Sequence, residues 1–180
     1  PQVISVATGL AQGHYVSGRT IEPAPDLFVG AVENPFAPPI PYRVDRAKIK
    51  SQAGARFLQL QIGYQPDRLE AFVAGCVENG VTQKTGLLPT LVFVKRAGAL
   101  RFMDREVPGI SVPAAVIDRV ANAKDEAEEA YQHTLEQARH ALSLPGVAGL
   151  HLTDFRHDGS LGRLVDELGV RDGVAQQDAS

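Results

Sequence analysis

The sequence predicts an α/β fold with a parallel sheet, and three observations support that class. Apolar runs of strand length recur along the 180 residues, segments with helical spacing or irregular connections separate them, and the runs are almost continuously hydrophobic. Parallel strands have that last property because helices cover both faces of their sheet. We therefore expect one α/β domain over residues 1–175, followed by a frayed polar tail at residues 176–180.

Five segments are candidate strands, each rich in Val, Ile, Leu or Phe. They are Val3–Thr8, Leu27–Val32, Phe57–Ile62, Leu87–Val94 and Gly149–Phe155. The proline-rich loop Pro35–Pro41 follows the second of them and cannot supply the backbone donors of a helix or a central strand.

Helical spacing is clearest at Asp67–Asn79, where apolar residues recur on one face and Gly80 follows as a C-cap. Cys76 lies in that apolar stripe, so we expect it to be buried and inert. A longer helical stretch runs from Pro113 to about Leu142, and its polar middle indicates a bend or two helices.

Composition excludes several classes of protein. A formal net charge of −3 without a basic face excludes nucleic acid as a partner. No apolar run is long enough to span a membrane, which takes about 20 residues. The single cysteine favours a reducing compartment, and hence the cytoplasm. His133 and His140 stand apart from other ligands, so no metal site is expected.

The strand Phe57–Ile62 carries the first candidate site residue. Side chains alternate along a strand, so Leu58, Leu60 and Ile62 should face helices, while Gln59 and Gln61 face the opposite side. Gln61 is nearest the carboxyl end, where its amide is placed to meet a ligand. The alternative is that both amides pair with each other or with nearby backbone.

Other candidates have equally plain alternatives. Small residues at Gly30 and Ala31 would let a flat ring or a phosphate approach the backbone, or they simply end a strand in a turn. Lys50, on a helix expected over Asp45–Ala53, has the reach to contact a phosphate or is a solvated surface lysine. His151 alternates with leucines in the last strand, where it is a ligand contact or a hydrogen-bonded core residue.

Four stretches, in order and spacing, resemble the later part of the methylenetetrahydrofolate reductase family. They are LFVGAVENPFAPP at Leu27–Pro39, KSQAGARFLQLQ at Lys50–Gln61, VPGISVP at Val107–Pro113 and PGVAGLHL at Pro145–Leu152. The resemblance covers Asp26 to about Val170. It implies a (β/α) barrel of the TIM type in which the five strands correspond to the fourth to eighth, the first strands being absent.

The same resemblance implies a chemistry: FAD takes hydride from NADH or NADPH and passes it to methylenetetrahydrofolate. Gln61 would then contact the folate or nicotinamide ring, and His151 would match a histidine of the family's eighth strand that lies beside the substrate or has a structural role. The residues implied at FAD are Gly30, Ala31, Asn34, Arg46 and Lys50.

The family's catalytic glutamate lies on its first strand, and no segment of this sequence corresponds to it. Its fourth strand ends in Gly-Asp, where this sequence has Thr8-Gly9-Leu10. Three hypotheses therefore stand. The chain is part of a flavin reductase completed by further strands, or a diverged non-enzymatic or regulatory relative, or a half-barrel whose sheet is closed by a partner chain or a second copy.

Overall fold

The computed structural model describes residues 1–170 as seven α-helices, one short 3₁₀ helix and a four-stranded sheet. In chain order the elements are α1 (Gln2–Ala11), β1 (Gly30–Glu33), α2 (Ile40–Gln52), β2 (Phe57–Leu60), α3 (Pro66–Glu78), the 3₁₀ helix (Val81–Gln83), β3 (Gly86–Phe93), α4 (Ala97–Glu106), α5 (Ala114–Ala121), α6 (Glu126–Ser143), β4 (His151–Asp154) and α7 (Ser160–Glu167). The expected tail at residues 176–180 lies outside the described residues.

The sheet is parallel throughout, in the order β1-β2-β3-β4. Each strand is followed by helix and returns to the next position in the sheet, as in a segment of a (β/α) barrel. The α/β class and the partial barrel are therefore confirmed. Within residues 1–170 the sheet has four strands and not five, and it is not closed.

The missing fifth strand is the first one expected, Val3–Thr8, and that expectation is wrong. The segment belongs to helix α1, because its inward residues follow helical spacing and not alternation. Ile4 is buried, and Ala7, Thr8 and Ala11 are partly buried, at intervals of three and four residues. The comparison of this segment with a family strand that ends in Gly-Asp therefore does not apply.

The alternation expected in β2 is confirmed. Leu58 and Leu60 are fully buried in a core that they share with residues of α2 and α3, such as Ala47 and Phe72. Gln59 and Gln61 are partly exposed on the other side. Ile62, beyond the end of the strand, packs against the cluster formed by α4 and α5.

The long helical stretch consists of two helices, α5 and α6. Asp125 separates them, because its carboxylate accepts the N–H groups of Ala127 and Glu128 and so begins α6. Helix α4 was not expected, although Ala97, Leu100 and Met103 bury one side at three-residue spacing.

The proline-rich loop is shorter than expected, because α2 begins at Ile40 and the loop ends at Pro39. Pro41 lies in the first turn of α2, where the N–H that proline lacks would have no partner in the helix.

One face of the sheet is incompletely covered. On β1 and just before it, Phe28 is 72% and Val32 is 67% exposed, although parallel sheets normally bury both faces. Phe28 stacks on Phe57 of the neighbouring strand, with ring centroids 5.6 Å apart. This inner face, defined by Phe28, Val32 and Phe57, corresponds to the interior of a closed barrel. Among the described helices, none is long and apolar enough to cross a membrane.

Candidate functional site

A cleft of about 550 Å³ opens where β1 and β2 end, next to α2. The carboxyl ends of parallel strands are where (β/α) barrels place their sites, because the loops that follow the strands converge there. The cleft is lined by three cationic side chains, by two glutamine amides in and just after β2, by an asparagine and by a tyrosine ring. These residues are Val32, Glu33, Asn34, Tyr42, Arg43, Arg46, Lys50, Gln59, Leu60 and Gln61.

Glu33 is the buried centre of this cleft, with 5% of its surface exposed. One carboxylate oxygen accepts the Lys50 ammonium at 2.6 Å, and the other accepts the backbone N–H of Asn34 at 3.0 Å. Arg43 and Arg46 lie 3.6 and 4.0 Å from the same carboxylate. A buried carboxylate requires such partners, because desolvation of an unpaired charge is costly.

The three cations come from one face of α2, at positions separated by three and four residues. Arg43 and Arg46 also lie against the Tyr42 ring, 5.6 and 5.8 Å from its centroid. Three cations face one carboxylate, which leaves an excess of two positive charges at the cleft. The side chain of Arg46 is 39% exposed and that of Arg43 is 25% exposed, so both remain accessible to an anion such as a phosphate.

Gln61 lies at the end of β2, where its backbone N–H donates to the carbonyl of Glu33 at 2.8 Å. Its side-chain oxygen accepts the N–H of Ile62 at 3.0 Å, which fixes the amide and leaves its NH₂ group to donate to a ligand. Asn34 shapes the mouth of the cleft. Its amide oxygen accepts the N–H of Phe36 at 2.9 Å, and its NH₂ donates to Gly109 at 3.4 Å.

Four of the seven residues expected at the site are therefore brought together: Asn34, Arg46, Lys50 and Gln61. The other three do not line the cleft. A β-carbon at Gly30 would lie 2.1 Å from the Phe57 ring, so that ring occupies the space beside the glycine. Ala31 packs against the core shared with α2 and α3. His151 lies on β4, opposite Thr90, two strands away from Gln61.

Glu33, Arg43 and Tyr42 were missed as site residues, although the sequence carries a signal for the first two. Alternation along β1 puts Glu33 on the same side as Ala31, which is the helix side, where a carboxylate must find a cation. Arg43, Arg46 and Lys50 have the spacing of a single helix face. The two patterns together predict a buried ion cluster between β1 and α2.

Among residues 1–170, no group of three or more His, Cys, Asp or Glu side chains is placed to hold a metal ion. Fold and site together define a (β/α) barrel segment with a basic, amide-lined cleft at the ends of its strands.

Comparison with known proteins gives the family. Residues 34–169 match the family model described as methylenetetrahydrofolate reductase. The chain belongs to that family. It is 26% identical over 145 residues to a protein of Caenorhabditis elegans named "Probable methylenetetrahydrofolate reductase (NADPH)", with 76% of this chain and 21% of that protein covered.

A solved structure shares the fold, with a TM-score of 0.51 and 15% sequence identity. It is an uncharacterised protein from Clostridium thermocellum, described as binding two copies of 5-methyl-5,6,7,8-tetrahydrofolic acid, and the match covers 81% of this chain and 53% of that one. The chain therefore spans about one fifth of the curated relative and about half of the structural one.

Proposed function

We propose that this chain forms the FAD-binding and folate-binding half of a methylenetetrahydrofolate reductase barrel. In that enzyme, hydride from NADH or NADPH reaches methylenetetrahydrofolate by way of FAD. The observation that carries the proposal is the cleft itself. This chain belongs to the family, and its cleft has excess positive charge and a fixed amide at the carboxyl ends of two neighbouring strands. The folate bound by the structural relative supports the substrate class.

The residues of the cleft fit the phosphates of FAD. Arg43 and Arg46 offer guanidinium donors that match phosphate oxygens, and Lys50 adds a point charge at their side. In the ligand-free arrangement Lys50 donates to Glu33 and to the carbonyl of Val32, both at 2.6 Å. A phosphate would therefore compete with Glu33 for Lys50, and it would meet the two arginines first.

When bound, FAD would supply the two-electron chemistry, as acceptor of hydride from the nicotinamide and donor to the folate. The role of Gln61 is to position the reacting ring, because its NH₂ donors lie at the end of β2 beside the exposed inner face. Val32 and Phe28 of that face offer apolar surface on which a flat ring can lie.

The proton that the folate needs must come from elsewhere. Among residues 1–170, Glu33 is the one carboxylate that lines the cleft, and both of its oxygens are occupied by Lys50 and by the N–H of Asn34. We propose that further strands, from the same protein or from a partner chain, supply the acid and close the barrel. The open inner face supports this, because further strands would close the barrel around it and around a ring that lies on it.

Titration of the purified chain with FAD, followed by flavin fluorescence, tests the proposal. We expect weak binding, with a Kd above about 1 μM, because half of the enclosure is absent. Arg46→Gln and Lys50→Ala should each weaken it about tenfold, and added salt should weaken it further because charges are screened. Lys48→Ala is the matched control. Lys48 lies on the same helix, does not line the cleft and should leave FAD affinity unchanged.

A result in which FAD binds equally well to Arg46→Gln, Lys50→Ala and Lys48→Ala would refute the assignment of the cleft. Stoichiometric flavin with steady NAD(P)H oxidation by this chain alone would refute the need for further strands. In a barrel that has been completed, Gln61→Leu should lower the rate of hydride transfer and leave FAD affinity unchanged, because its amide contacts the reacting ring.

The second candidate function is a folate-binding protein without redox chemistry. It is favoured by the engagement of Glu33 with cations, because Glu33 is the one carboxylate among the described residues that line the cleft. Calorimetric titration with 5-methyltetrahydrofolate separates the two. Binding that is tight without FAD, and unaffected by adding it, favours the non-enzymatic function, whereas dependence on FAD favours the reductase.

A further inference from the structure

A second cavity, of about 250 Å³, lies between α3 and α6 beside the end of β2 and the middle of β3. It adjoins the basic cleft, with which it shares Leu60 and Gln61, but its walls are different. Most are apolar, from Phe36, Leu60, Pro66, Leu69, Pro89 and Leu91. Helix α6 adds His133, Gln137 and His140. The volume is just below the ~300 Å³ at which pockets for drug-sized ligands begin, so it suits a single small ring system.

The cavity contains buried polar atoms that have no hydrogen-bond partner. Both ring nitrogens of His133, Nε2 of His140, the side-chain oxygen of Gln65 and the hydroxyl of Thr90 are in this state. Thr90 is only 6% exposed. Leaving such atoms unpaired costs free energy, so proteins seldom keep several of them together unless a ligand or ordered water completes them.

Other polar groups of the same cavity do have hydrogen-bond partners, in contrast to these unpaired atoms. The Gln137 amide donates to Gly63 at 3.1 Å, and the Gln65 amide donates to Ser111 at 2.8 Å. Glu136 is held by Arg119. These contacts fix the side chains around the unpaired atoms.

The cavity is electrically neutral. Among the described residues, no lysine or arginine lines it, so an anion finds no counter-charge there. Its one carboxylate, Glu136, is already paired with Arg119. Burial, and then the nearby Arg119 guanidinium, lower the pKa of His133, so its imidazole is neutral near pH 7 and offers one donor and one acceptor.

We propose that this cavity binds a neutral, planar nitrogen heterocycle of purine size, recognised at its edge by His133 and Gln65. The Tyr64 ring fixes the plane of His133, since the two rings are 10° from parallel with centroids 6.0 Å apart, and a flat ring that lies in that plane can meet an imidazole nitrogen. A heterocycle edge carries both donors and acceptors, which complement a neutral imidazole and an amide oxygen. The ligand is either a free base or the ring of a nucleotide whose phosphate reaches the basic cleft past Gln61.

Ligand-observed NMR with adenine, AMP and indole tests this site independently of the FAD titration. We expect adenine to bind with a Kd of about 1 mM or tighter, and indole, which lacks the acceptors, to bind at least tenfold more weakly. His133→Phe keeps a ring of similar size and should weaken adenine at least tenfold. His133→Gln keeps a donor and an acceptor and should retain most of the binding. His14→Phe, at an exposed histidine that does not line the cavity, is the control.

Comparison of AMP with adenine shows whether the ligand is a nucleotide or a free base. If AMP binds more tightly than adenine and Arg46→Gln removes the difference, the ligand is a nucleotide that spans both sites. If AMP and adenine bind alike, it is a free base. His133→Phe should also raise the melting temperature of the ligand-free protein, because it removes two unpaired buried nitrogens.

Three results would overturn the proposal: no saturable binding of adenine or AMP, equal binding of indole and adenine, or binding that His133→Phe leaves intact. A crystal structure grown with adenine that shows ordered water alone on His133 would do the same. Loss of FAD binding in the basic cleft would overturn the proposed function and not this proposal, because Arg43, Arg46 and Lys50 do not line this cavity.

Discussion

Glu33 determines the geometry of the basic cleft at the scale of single residues. It is the partner that holds Lys50, and it lies within 4.0 Å of Arg43 and Arg46, so three cations that would repel one another are gathered at one place. Its carboxylate is buried, while the arginines remain partly exposed to a ligand. The charge that attracts an anion therefore depends on a residue that the anion does not contact.

Replacing Glu33 by glutamine should lower the free energy of unfolding by about 2 to 4 kcal/mol, because removal of one partner from a buried ion pair leaves the others uncompensated. Urea denaturation followed by circular dichroism measures this change. Glu78→Gln is the control, since Glu78 is exposed at the end of α3, and it should change stability by less than about 0.5 kcal/mol. Equal effects of the two substitutions would show that the cluster around Glu33 contributes nothing.

Cys76 should remain unreactive in the folded protein. It is fully buried on α3, and burial together with the charge of Glu33 raises the pKa of its thiol to about 12. A thiolate is the reactive form, so almost none is present at pH 8. An aromatic disulfide reagent should therefore modify the native protein at least a hundredfold more slowly than the urea-unfolded protein. Rapid labelling of the native chain would contradict this.

Contacts between elements fix helix α1 onto the rest of the fold. The Thr8 hydroxyl donates to the carbonyl of Ala53, just after α2, at 3.1 Å. The neighbouring Gly54 has a φ of +107°, and a β-carbon there would lie 2.3 Å from the Thr8 oxygen. Close approach of α1 to the end of α2 therefore requires a glycine at this position.

Gly54→Ala should destabilise the protein by about 1 to 3 kcal/mol, from backbone strain and from the collision with Thr8. Gly98→Ala is its matched control and should have the opposite sign. Gly98 lies in the first turn of α4 with no atom within 4 Å of its β-carbon position, so alanine should stabilise by up to about 1 kcal/mol. Thermal and urea unfolding of the two variants measures both effects. A neutral Gly54→Ala would show that α1 is not held in this position.

At the scale of the whole molecule, the open inner face is the main structural feature that remains unsatisfied. Edge strands β1 and β4 have no neighbours on their outer sides in the described sheet, and Phe28 and Val32 expose apolar surface beside β2. Both features favour association with additional strands, which in the purified chain must come from a second copy.

The purified chain should therefore self-associate in a concentration-dependent manner, as measured by size-exclusion chromatography with light scattering. Changing Phe28 and Val32 together to serine should shift the population toward monomer with little loss of stability, because both side chains are already exposed. Phe102→Ser, at an exposed position on α4, is the control and should not change the mass. A strictly monomeric wild-type chain would argue that this face is not an association surface.

Local sequence patterns predicted four of the strands and most of the helices correctly. Along β2 and the residue that follows it, alternation alone assigned Leu58 to the helix side and Gln61 to the site side. In α3, the apolar stripe alone predicted that Cys76 is buried. These patterns are reliable because they follow from the backbone geometry of one segment. The family resemblance added Asn34 and Arg46, which line the cleft with Gln61 and Lys50.

Tertiary structure decided the rest. Val3–Thr8 is short and apolar enough to suit either a strand or a helix, and its docking through Ile4 and Thr8 onto α2 and the residues after it determines the helix. The cluster around Glu33 joins β1 to a helix face, and the second cavity joins Gln65 to His133, 68 positions further along the chain. Such sites depend on how separate segments pack, and the periodicity within a segment carries no information about its distance from another.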